Sequence, residues 1–255
     1  MTAGTPVAAL ETRGLHKSFG ALTVANAIDF RLEHGARHAL IGPNGAGKTS
    51  FVNLITGALR ANAGTIHLKG ADITDLPQPA RVKCGLARTF QINALFRRLC
   101  VLENVTLAIA EREGIAGQAL RPAGRYRAVI DEAYDLLETL GLAEQALQPV
   151  SALAYGRQRL VEIAVTLALK PSVLLLDEPA AGIPSGESGI VVALIERLPA
   201  DISVLIIEHD MDLVFRLAET ITVLVQGSIL VEGPPAAIAA DPRVREVYLG
   251  ERERR

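Results

Sequence analysis

Residues 42–50 read Gly-Pro-Asn-Gly-Ala-Gly-Lys-Thr-Ser, and this stretch decides the fold. It fits G-x-x-x-x-G-K-[ST], the pattern of a loop that binds nucleotide phosphates. Glycines let successive backbone N–H groups turn toward an anion, and the positive end of the following helix lies at the same place. Residues 39–41 are apolar and predict a buried strand before the loop, while apolar residues recur at helical spacing after it. The nucleotide is therefore predicted to contact Gly42, Pro43, Asn44, Gly45, Ala46, Gly47, Lys48, Thr49 and Ser50.

Two side chains of the loop have separate predicted roles. Lys48 is expected to reach the β- and γ-phosphates of ATP, and the Thr49 hydroxyl is expected to bind Mg²⁺. The alternative is a glycine-rich turn with an accidental lysine, which the strand before it and the helix after it make the weaker interpretation.

Acidic and imidazole side chains follow two predicted buried strands, the first of which is fully apolar. Residues 173–176 precede Asp177 and Glu178, and residues 203–207 come shortly before His209. Ligands of open α/β sheets bind at the carboxyl ends of the strands. We therefore predict that Asp177 holds Mg²⁺, that Glu178 polarises the attacking water, and that His209 touches the γ-phosphate or that water. The alternatives are a helix cap or solvated turn for the acidic pair and a structural histidine.

Two further candidates are weak when taken alone. Gln91 could offer an amide oxygen to Mg²⁺ or to the attacking water, and its alternative is an ordinary polar loop residue. Phe19 could stack on an adenine ring. Because aromatic side chains mostly pack in cores, packing is the favoured interpretation of Phe19 by itself.

The chain order predicts one domain, residues 1–255, of α/β class. Residues 7–35 alternate and predict an N-terminal antiparallel β subdomain, and Pro77 and Pro79 predict a loop. Residues 92–170 have helical periodicity and predict an α-helical insert. The remainder, residues 1–91 and 171–255, is predicted to be a P-loop NTPase core with a mostly parallel, RecA-like sheet.

Composition limits the class of protein. Hydrophobic residues make up 49% and charged residues 21%, which is typical of a globular chain, and the net charge of −2 does not call for a nucleic-acid partner. No apolar run approaches the ~20 residues of a membrane-spanning helix, and the first residues do not resemble a signal peptide. Cys84 and Cys100 are expected to be reduced thiols of a cytosolic protein.

The motifs, in their order, resemble the nucleotide-binding subunits of ABC transporters. They are the phosphate-binding loop, Gln91, a segment similar to L-S-G-G-x-Q at residues 153–158, the Asp-Glu-Pro of residues 177–179, and His209. The likeness is strongest to the ATPases of branched-chain amino-acid importers, and the ATPases of urea transporters and lipopolysaccharide exporters are also similar. The matching stretches are residues 41–48, 51–57, 87–91, 101–105, 177–182, 207–214, 241–244 and 248–250.

This resemblance implies partners and further site residues. It implies ATP and Mg²⁺ as cofactors, and a head-to-tail dimer with a second ABC ATPase, either another copy or a paralogue. In that dimer Tyr155, Gly156 and Gln158 close over the partner's nucleotide, and Phe19 stacks on adenine. It also implies transmembrane permease subunits that contact the helical insert, a solute-binding protein, and a place at the cytoplasmic face of the inner (plasma) membrane.

The sequence departs from the family pattern at two places. Ala154 stands where the family has serine, so we expect a weakened γ-phosphate contact, and residues 182–185 lack the usual aspartate. Two other functions remain possible from the residues, a soluble P-loop kinase and a non-transport ABC ATPase that acts on DNA. The sequence disfavours the second because it has neither sustained heptads nor a basic stripe.

Overall fold

The computed structural model describes residues 7–89, 95–116, 126–183 and 188–252, with backbone alone for Ser188 and residues 249–252. Within these ranges the strands are β1 (Leu10–Phe19), β2 (Leu22–Leu32), β3 (Arg37–Ile41), β4 (Ala63–Leu68), β5 (Ala71–Asp72), β6 (Leu86–Arg88), β7 (Val173–Asp177), β8 (Ser203–Ile207), β9 (Thr220–Val225) and β10 (Ser228–Gly233). The helices are α1 (Lys48–Thr56), α2 (Gln78–Lys83), α3 (Val101–Arg112), α4 (Arg127–Thr139), α5 (Tyr155–Leu167), α6 (Ser188–Glu196), α7 (Met211–Leu217), α8 (Pro235–Ala240) and α9 (Pro242–Arg252).

The larger sheet has the strand order β10-β9-β3-β8-β7-β6. β3 pairs in parallel with β8 and β9, β7 pairs in parallel with β8, and β10 runs antiparallel beside β9. Leu40 of β3 packs with α1, whereas Ala39 and Ile41 pack with residues of α7 and α8. Because helices cover both faces, the central strands are rich in apolar residues, and residues 173–176 of β7 and 204–207 of β8 are continuous apolar runs. The mostly parallel core is confirmed.

The smaller sheet is antiparallel and has the order β2-β1-β4-β5, which confirms the predicted N-terminal β subdomain. The ladder between β1 and β2 is irregular between Thr12 and Leu15. There the buried Thr12 hydroxyl donates to the Ile28 carbonyl at 2.9 Å and accepts from the Phe30 amide at 3.1 Å. A side chain thus supplies the hydrogen bonds that the interrupted ladder does not.

Helix α2 corrects the prediction of a loop at Pro77 and Pro79. The helix begins at Gln78 and carries Pro79 in its first turn, where a proline costs no intrahelical hydrogen bond. It also carries the buried Arg81, whose Nη1 donates to the carbonyls of Leu54 at 2.7 Å and Ile55 at 2.5 Å. Arg81 therefore caps the carboxyl end of α1, the helix that follows the phosphate-binding loop.

The chain divides into two compact units. The first comprises residues 1–86, 172–178 and 199–255, and the second comprises residues 87–171 and 179–198. The sequence pattern predicts residues 179–198 as part of the core, but α6 packs against α5 and belongs to the second unit. Across the described residues, no helix has the length and hydropathy needed to cross a membrane.

Candidate functional site

The phosphate-binding loop joins β3 to α1 and depends on its glycines. Gly45 has a φ of 76° and Gly47 a φ of 103°, both in the region that side chains rarely enter. A Cβ on Gly42 would stand 2.1 Å from the Leu224 carbonyl oxygen, and one on Gly47 would stand 2.5 Å from the Val24 carbonyl oxygen. The loop therefore lies directly on the backbone of its neighbours, and larger residues would displace it.

The turn between β9 and β10 is hydrogen-bonded to the phosphate-binding loop and supports it. Gln226 and Gly227 form this turn with φ values of 48° and 78°, the two positive angles of a type I′ hairpin. The Gly227 amide donates to the Ala46 carbonyl at 2.8 Å, and the Gly227 carbonyl accepts from the Asn26 amide at 2.7 Å. Backbone from β2 and from the β9–β10 hairpin thus holds the loop in shape.

Lys48 is the first residue of α1. Its Nζ donates to the carbonyls of Gly42 at 2.6 Å and Pro43 at 2.9 Å, so the ammonium group lies over the loop. The first intrahelical bond of α1 runs from the Phe51 amide to the Gly47 carbonyl at 2.8 Å, and the amides before it form the positive end of the helix. The loop therefore combines a cation, a helix terminus and backbone donors, which is a suitable set for phosphates.

Asp177, Glu178 and His209 emerge at one edge of the larger sheet. Asp177 is in register with Ile207, and the Glu178 amide donates to the Ile207 carbonyl at 2.8 Å. His209 Nδ1 lies 3.6 Å from Glu178 Oε1, and both side chains are at least half exposed. Glu178 has a φ of 46°, which is rare for a residue with a side chain and is typical of functional sites. The structure thus brings together these three predicted residues.

Glu208 is a site residue to which the sequence analysis assigned no role. Its carboxylate is buried, accepts from the amides of His209 at 2.9 Å and Asp210 at 3.3 Å, and lies 3.6 Å from His209 Nδ1. Asp210 in turn caps α7 by accepting from the Asp212 amide at 3.0 Å. Glu208 therefore shapes the turn that presents His209. The detectable signal was an acidic residue between the apolar strand and the histidine.

The residues at this edge fit Mg²⁺ with bound ATP. Among the described residues, no cluster of three or more His, Cys, Asp or Glu side chains forms a complete metal cage. Mg²⁺ does not require one, because it binds through one or two protein oxygens, waters and substrate phosphates. Thr49 in the first turn of α1 and Asp177 at the end of β7 offer such oxygens. Gln91, the other predicted ligand, lies outside the described residues, so its role stays a prediction.

Phe19 ends β1 at the tip of the β1–β2 hairpin. Its side chain is 52% exposed, and Lys17 Nζ lies 5.0 Å from the centre of its ring. The interpretation of Phe19 as a core residue is therefore wrong. An exposed ring is available for stacking, so the adenine contact stays a prediction.

The signature segment, residues 153–158, belongs to the second unit and begins α5. Ala154 is the N-cap residue, and its side chain makes no capping hydrogen bond because it has no hydroxyl. The Gln158 Nε2 donates to the Leu153 carbonyl at 2.8 Å, and this side chain is buried. Gln158 thus stabilises the turn before the helix. Its nucleotide contact, and those of Tyr155 and Gly156, stay predictions.

A chain of polar side chains joins three neighbouring strands of the larger sheet, from the buried His38 to the exposed Glu232. His38 of β3 is 3% exposed, and its Nε2 lies 2.7 Å from the Thr222 hydroxyl oxygen of β9. That hydroxyl donates to Glu232 Oε2 of β10 at 2.5 Å, so its oxygen accepts from the Nε2–H of a neutral His38. Burial lowers the pKa of His38 from 6.5 to about 4.

Comparison with known proteins defines the class of this protein. Residues 25–181 match the ABC transporter family, and residues 228–254 match the branched-chain amino acid ATP-binding cassette transporter family. The chain belongs to the ABC transporter family and is an ATP-binding cassette ATPase. The predicted family and enzymatic activity are confirmed.

The particular relatives are transport proteins of bacteria and archaea. The chain is 39% identical over 249 residues to the high-affinity branched-chain amino acid transport ATP-binding protein BraF of Pseudomonas aeruginosa, covering 95% of this chain and 98% of the relative. LivG of Escherichia coli K12, which has the same description, shows the same identity and coverage. A probable LivG of Archaeoglobus fulgidus is 33% identical, covering 94% of this chain and 95% of the relative.

Two solved structures of ATP-binding cassettes from ABC transporters share the fold. One, nucleotide-free, superposes with a TM-score of 0.83 at 29% identity and covers 94% of this chain and 98% of its own. The other, in its ADP conformation, has a TM-score of 0.83 at 30% identity and covers 95% and 99%. These likenesses confirm the predicted fold class.

Proposed function

We propose that this ATPase energises an importer of branched-chain or related amino acids. In this proposal it is bound peripherally at the cytoplasmic face of the membrane, beneath permease subunits that receive the solute from a binding protein. A second ABC ATPase subunit, another copy or a paralogue, completes the functional dimer. The names of its relatives in three organisms support the choice of substrate class.

One observation carries the catalytic part of the proposal. The phosphate-binding loop follows β3, Asp177 ends β7, and His209 follows β8, and these strands are parallel neighbours in one sheet. Their carboxyl ends therefore lie at one edge, where open α/β sheets bind ligands.

The proposed roles follow from the chemistry of the side chains. The loop amides and Lys48 bind the β- and γ-phosphates, while Thr49 and Asp177 hold Mg²⁺, which neutralises phosphate charge when bound. Glu178 accepts a hydrogen bond from the attacking water and polarises it. His209, 3.6 Å from the Glu178 carboxylate, orients that water or the γ-phosphate.

Replacing Glu178 by glutamine tests the catalytic role. The variant should bind Mg²⁺-ATP but not hydrolyse it, because the phosphate and metal ligands are unchanged. Bound ATP should then hold two subunits together, since the phosphate-binding loop of one and the signature segment of the other contact the same γ-phosphate. Light scattering should find a dimer with Mg²⁺-ATP and a monomer with ADP, over a range of protein concentrations that allows for the missing hydroxyl at Ala154.

A matched variant and two outcomes make the test decisive. Glu246 is an exposed carboxylate of α9, and Glu246→Gln should hydrolyse ATP at the wild-type rate. A Glu178→Gln protein that hydrolyses ATP at that rate would remove Glu178 from catalysis. An inactive variant that binds ATP and stays monomeric at every concentration would contradict the shared site.

Solute uptake tests the substrate class separately. In cells that lack the gene for this chain, uptake of radiolabelled leucine should fall, and the wild-type chain should restore it while Lys48→Ala should not. Unchanged leucine uptake together with reduced urea uptake would assign the chain to the alternative substrate class. Membrane fractionation in the presence and absence of the permease subunits would test the proposed location.

A further inference from the structure

The segment that follows Glu178 lies against the signature helix α5, with one hydrogen bond and one close approach, both inside the second unit. This segment, residues 179–183, is called here the restrained segment. Arg159 Nε donates to the Pro179 carbonyl at 3.2 Å, at the start of the segment. A Cβ on Gly182 would stand 3.1 Å from the Tyr155 hydroxyl oxygen and 3.2 Å from its ring, near the end of the segment.

The two contacts come from one face of α5. Tyr155 and Arg159 are four residues apart, so their side chains lie one above the other on the helix. Gly182 has a φ of 72°, so this position excludes other residues both by its backbone conformation and by the ring beside it. The restrained segment therefore packs against the first turns of α5.

Arg159 is itself held by a buried ion pair. Its Nη1 bonds to Glu162, one turn further along α5, and the two side chains are 7% and 3% exposed. Buried ion pairs contribute little to stability compared with apolar side chains of the same volume. In this protein the pair orients the guanidinium whose Nε reaches the Pro179 carbonyl, which is a positional role.

Glu178 is joined to this arrangement by one peptide bond. Its own amide is bonded to the Ile207 carbonyl, and its φ of 46° is unfavourable for a residue with a side chain. Such a conformation persists only where the surroundings determine it. The bond from Arg159 to Pro179 restrains the residue immediately after Glu178, and the bond to Ile207 restrains Glu178 at its amide.

We propose that Arg159 is a positioning residue for hydrolysis, which, through Pro179, holds the backbone that aims the Glu178 carboxylate. This inference rests on the proposed catalytic role of Glu178. Arg159 acts on the rate of the chemical step and not on the affinity for ATP, because it neither belongs to the phosphate-binding loop nor supplies a metal ligand.

The test replaces the whole ion pair, so that no buried charge is left without its partner. The variant carrying both Arg159→Met and Glu162→Met removes the bond to Pro179 and keeps an apolar filling of similar length. We expect kcat for ATP hydrolysis to fall about 10- to 100-fold, the range caused by misplacing a reacting group by about 1 Å. The Kd of a fluorescent ATP analogue should change less than about twofold.

The chain offers a matched control in the same unit. Arg112 bonds bidentately to Glu132 at 2.8 and 2.9 Å, on helices α3 and α4. The variant carrying Arg112→Met and Glu132→Met also removes an arginine–glutamate pair, but it does not touch the restrained segment. Its kcat should stay within about twofold of the wild-type value. An equal fall of kcat in both double variants would overturn the proposal, because it would indicate a general loosening of the unit.

A conservative variant keeps the proposal falsifiable if the double variant fails to fold. Arg159→Lys retains a charge opposite Glu162 and one donor for Pro179, so its kcat should lie between those of the wild type and the double variant. A folded double variant with the wild-type kcat would overturn the positioning role. If the double variant does not fold, a wild-type kcat in Arg159→Lys would overturn it. Failure of the proposed function is distinguishable, since Glu178→Gln would then hydrolyse ATP at the wild-type rate.

Discussion

The lowered pKa of His38 predicts a loss of folding stability in mild acid. In the folded protein the pKa of this buried imidazole is about 4, while in the unfolded chain it returns to about 6.5. Between these two values the unfolded state binds a proton that the folded state does not. The contribution of His38 to stability is therefore fully present above pH 6.5 and is lost as the pH falls toward 4.

The size of the effect follows from the two pKa values. One pKa unit corresponds to about 1.4 kcal/mol, so the free energy of unfolding should fall through this group by about 2 kcal/mol at pH 5 and about 3 kcal/mol at pH 4. These losses are a large part of the ~5–15 kcal/mol that stabilises a typical domain.

His38→Gln isolates the contribution of this one group. A glutamine amide can still donate to the Thr222 hydroxyl, but it does not titrate. Urea denaturation followed by circular dichroism should be measured for both proteins at several values between pH 7 and pH 4. The wild-type advantage, meaning the excess of its free energy of unfolding over that of the variant, should shrink as the pH falls, by the amounts given above.

The carboxylate of Glu232 has an effect on the pKa of His38 that opposes the effect of burial. Glu232 Oε2 lies 3.7 Å from His38 Nε2, and a charge at that distance favours the imidazolium. If that attraction exceeded the cost of burial, the wild-type advantage would grow as the pH falls. A difference that grows, or one that stays constant from pH 7 to pH 4, would refute the argument from burial.

Three further predictions concern the loop, its helix and its lysine. Gly47→Ala should lower the free energy of unfolding by about 1–3 kcal/mol more than Gly45→Ala, as measured by thermal melts. Both sites have a positive φ, but only a Cβ at Gly47 would meet a backbone carbonyl. Arg81→Met should cost about 3 kcal/mol or more in urea denaturation, because it removes the guanidinium bonds to four buried or half-buried carbonyls. Arg60→Met, at an exposed ion pair, should cost less than about 1 kcal/mol. Lys48→Ala should reduce ATPase activity to background with an unchanged circular dichroism spectrum, and wild-type turnover in that folded variant would contradict the role of the loop.

The sequence predicts those parts of the fold that depend on local pattern. Residues 173–176 of β7 and 204–207 of β8 are apolar because helices cover both faces of the sheet, so the position of these strands and the residues that follow them could be predicted. The glycines of the loop were equally clear, because a backbone nest needs residues without side chains. Asp177 and His209 then followed from the shared edge of parallel strands.

What the sequence did not predict depends on contacts between distant residues. The chain from His38 through Thr222 to Glu232 joins strands far apart in sequence, and no local pattern marks it. Taken alone, an aromatic residue such as Phe19 favours a core position because aromatic side chains usually pack, yet its ring is exposed at the tip of the β1–β2 hairpin. The helix at Pro79 was missed because a proline is compatible with both a loop and a first helical turn.

The support of the phosphate-binding loop by the β9–β10 turn has a consequence for biosynthesis. Ser50 ends the loop motif, but the β9–β10 turn that supports the loop is complete only at Ser228, 178 residues later. At about 5–20 residues per second, translation of that interval takes roughly 9 to 36 s. β3 also lacks its strand partners during a long part of synthesis, because both of its neighbours, β8 and β9, are made late. A nascent chain therefore spends most of its synthesis without a braced phosphate-binding loop, and stalled or truncated products that lack the hairpin should not be retained on an ATP-agarose column.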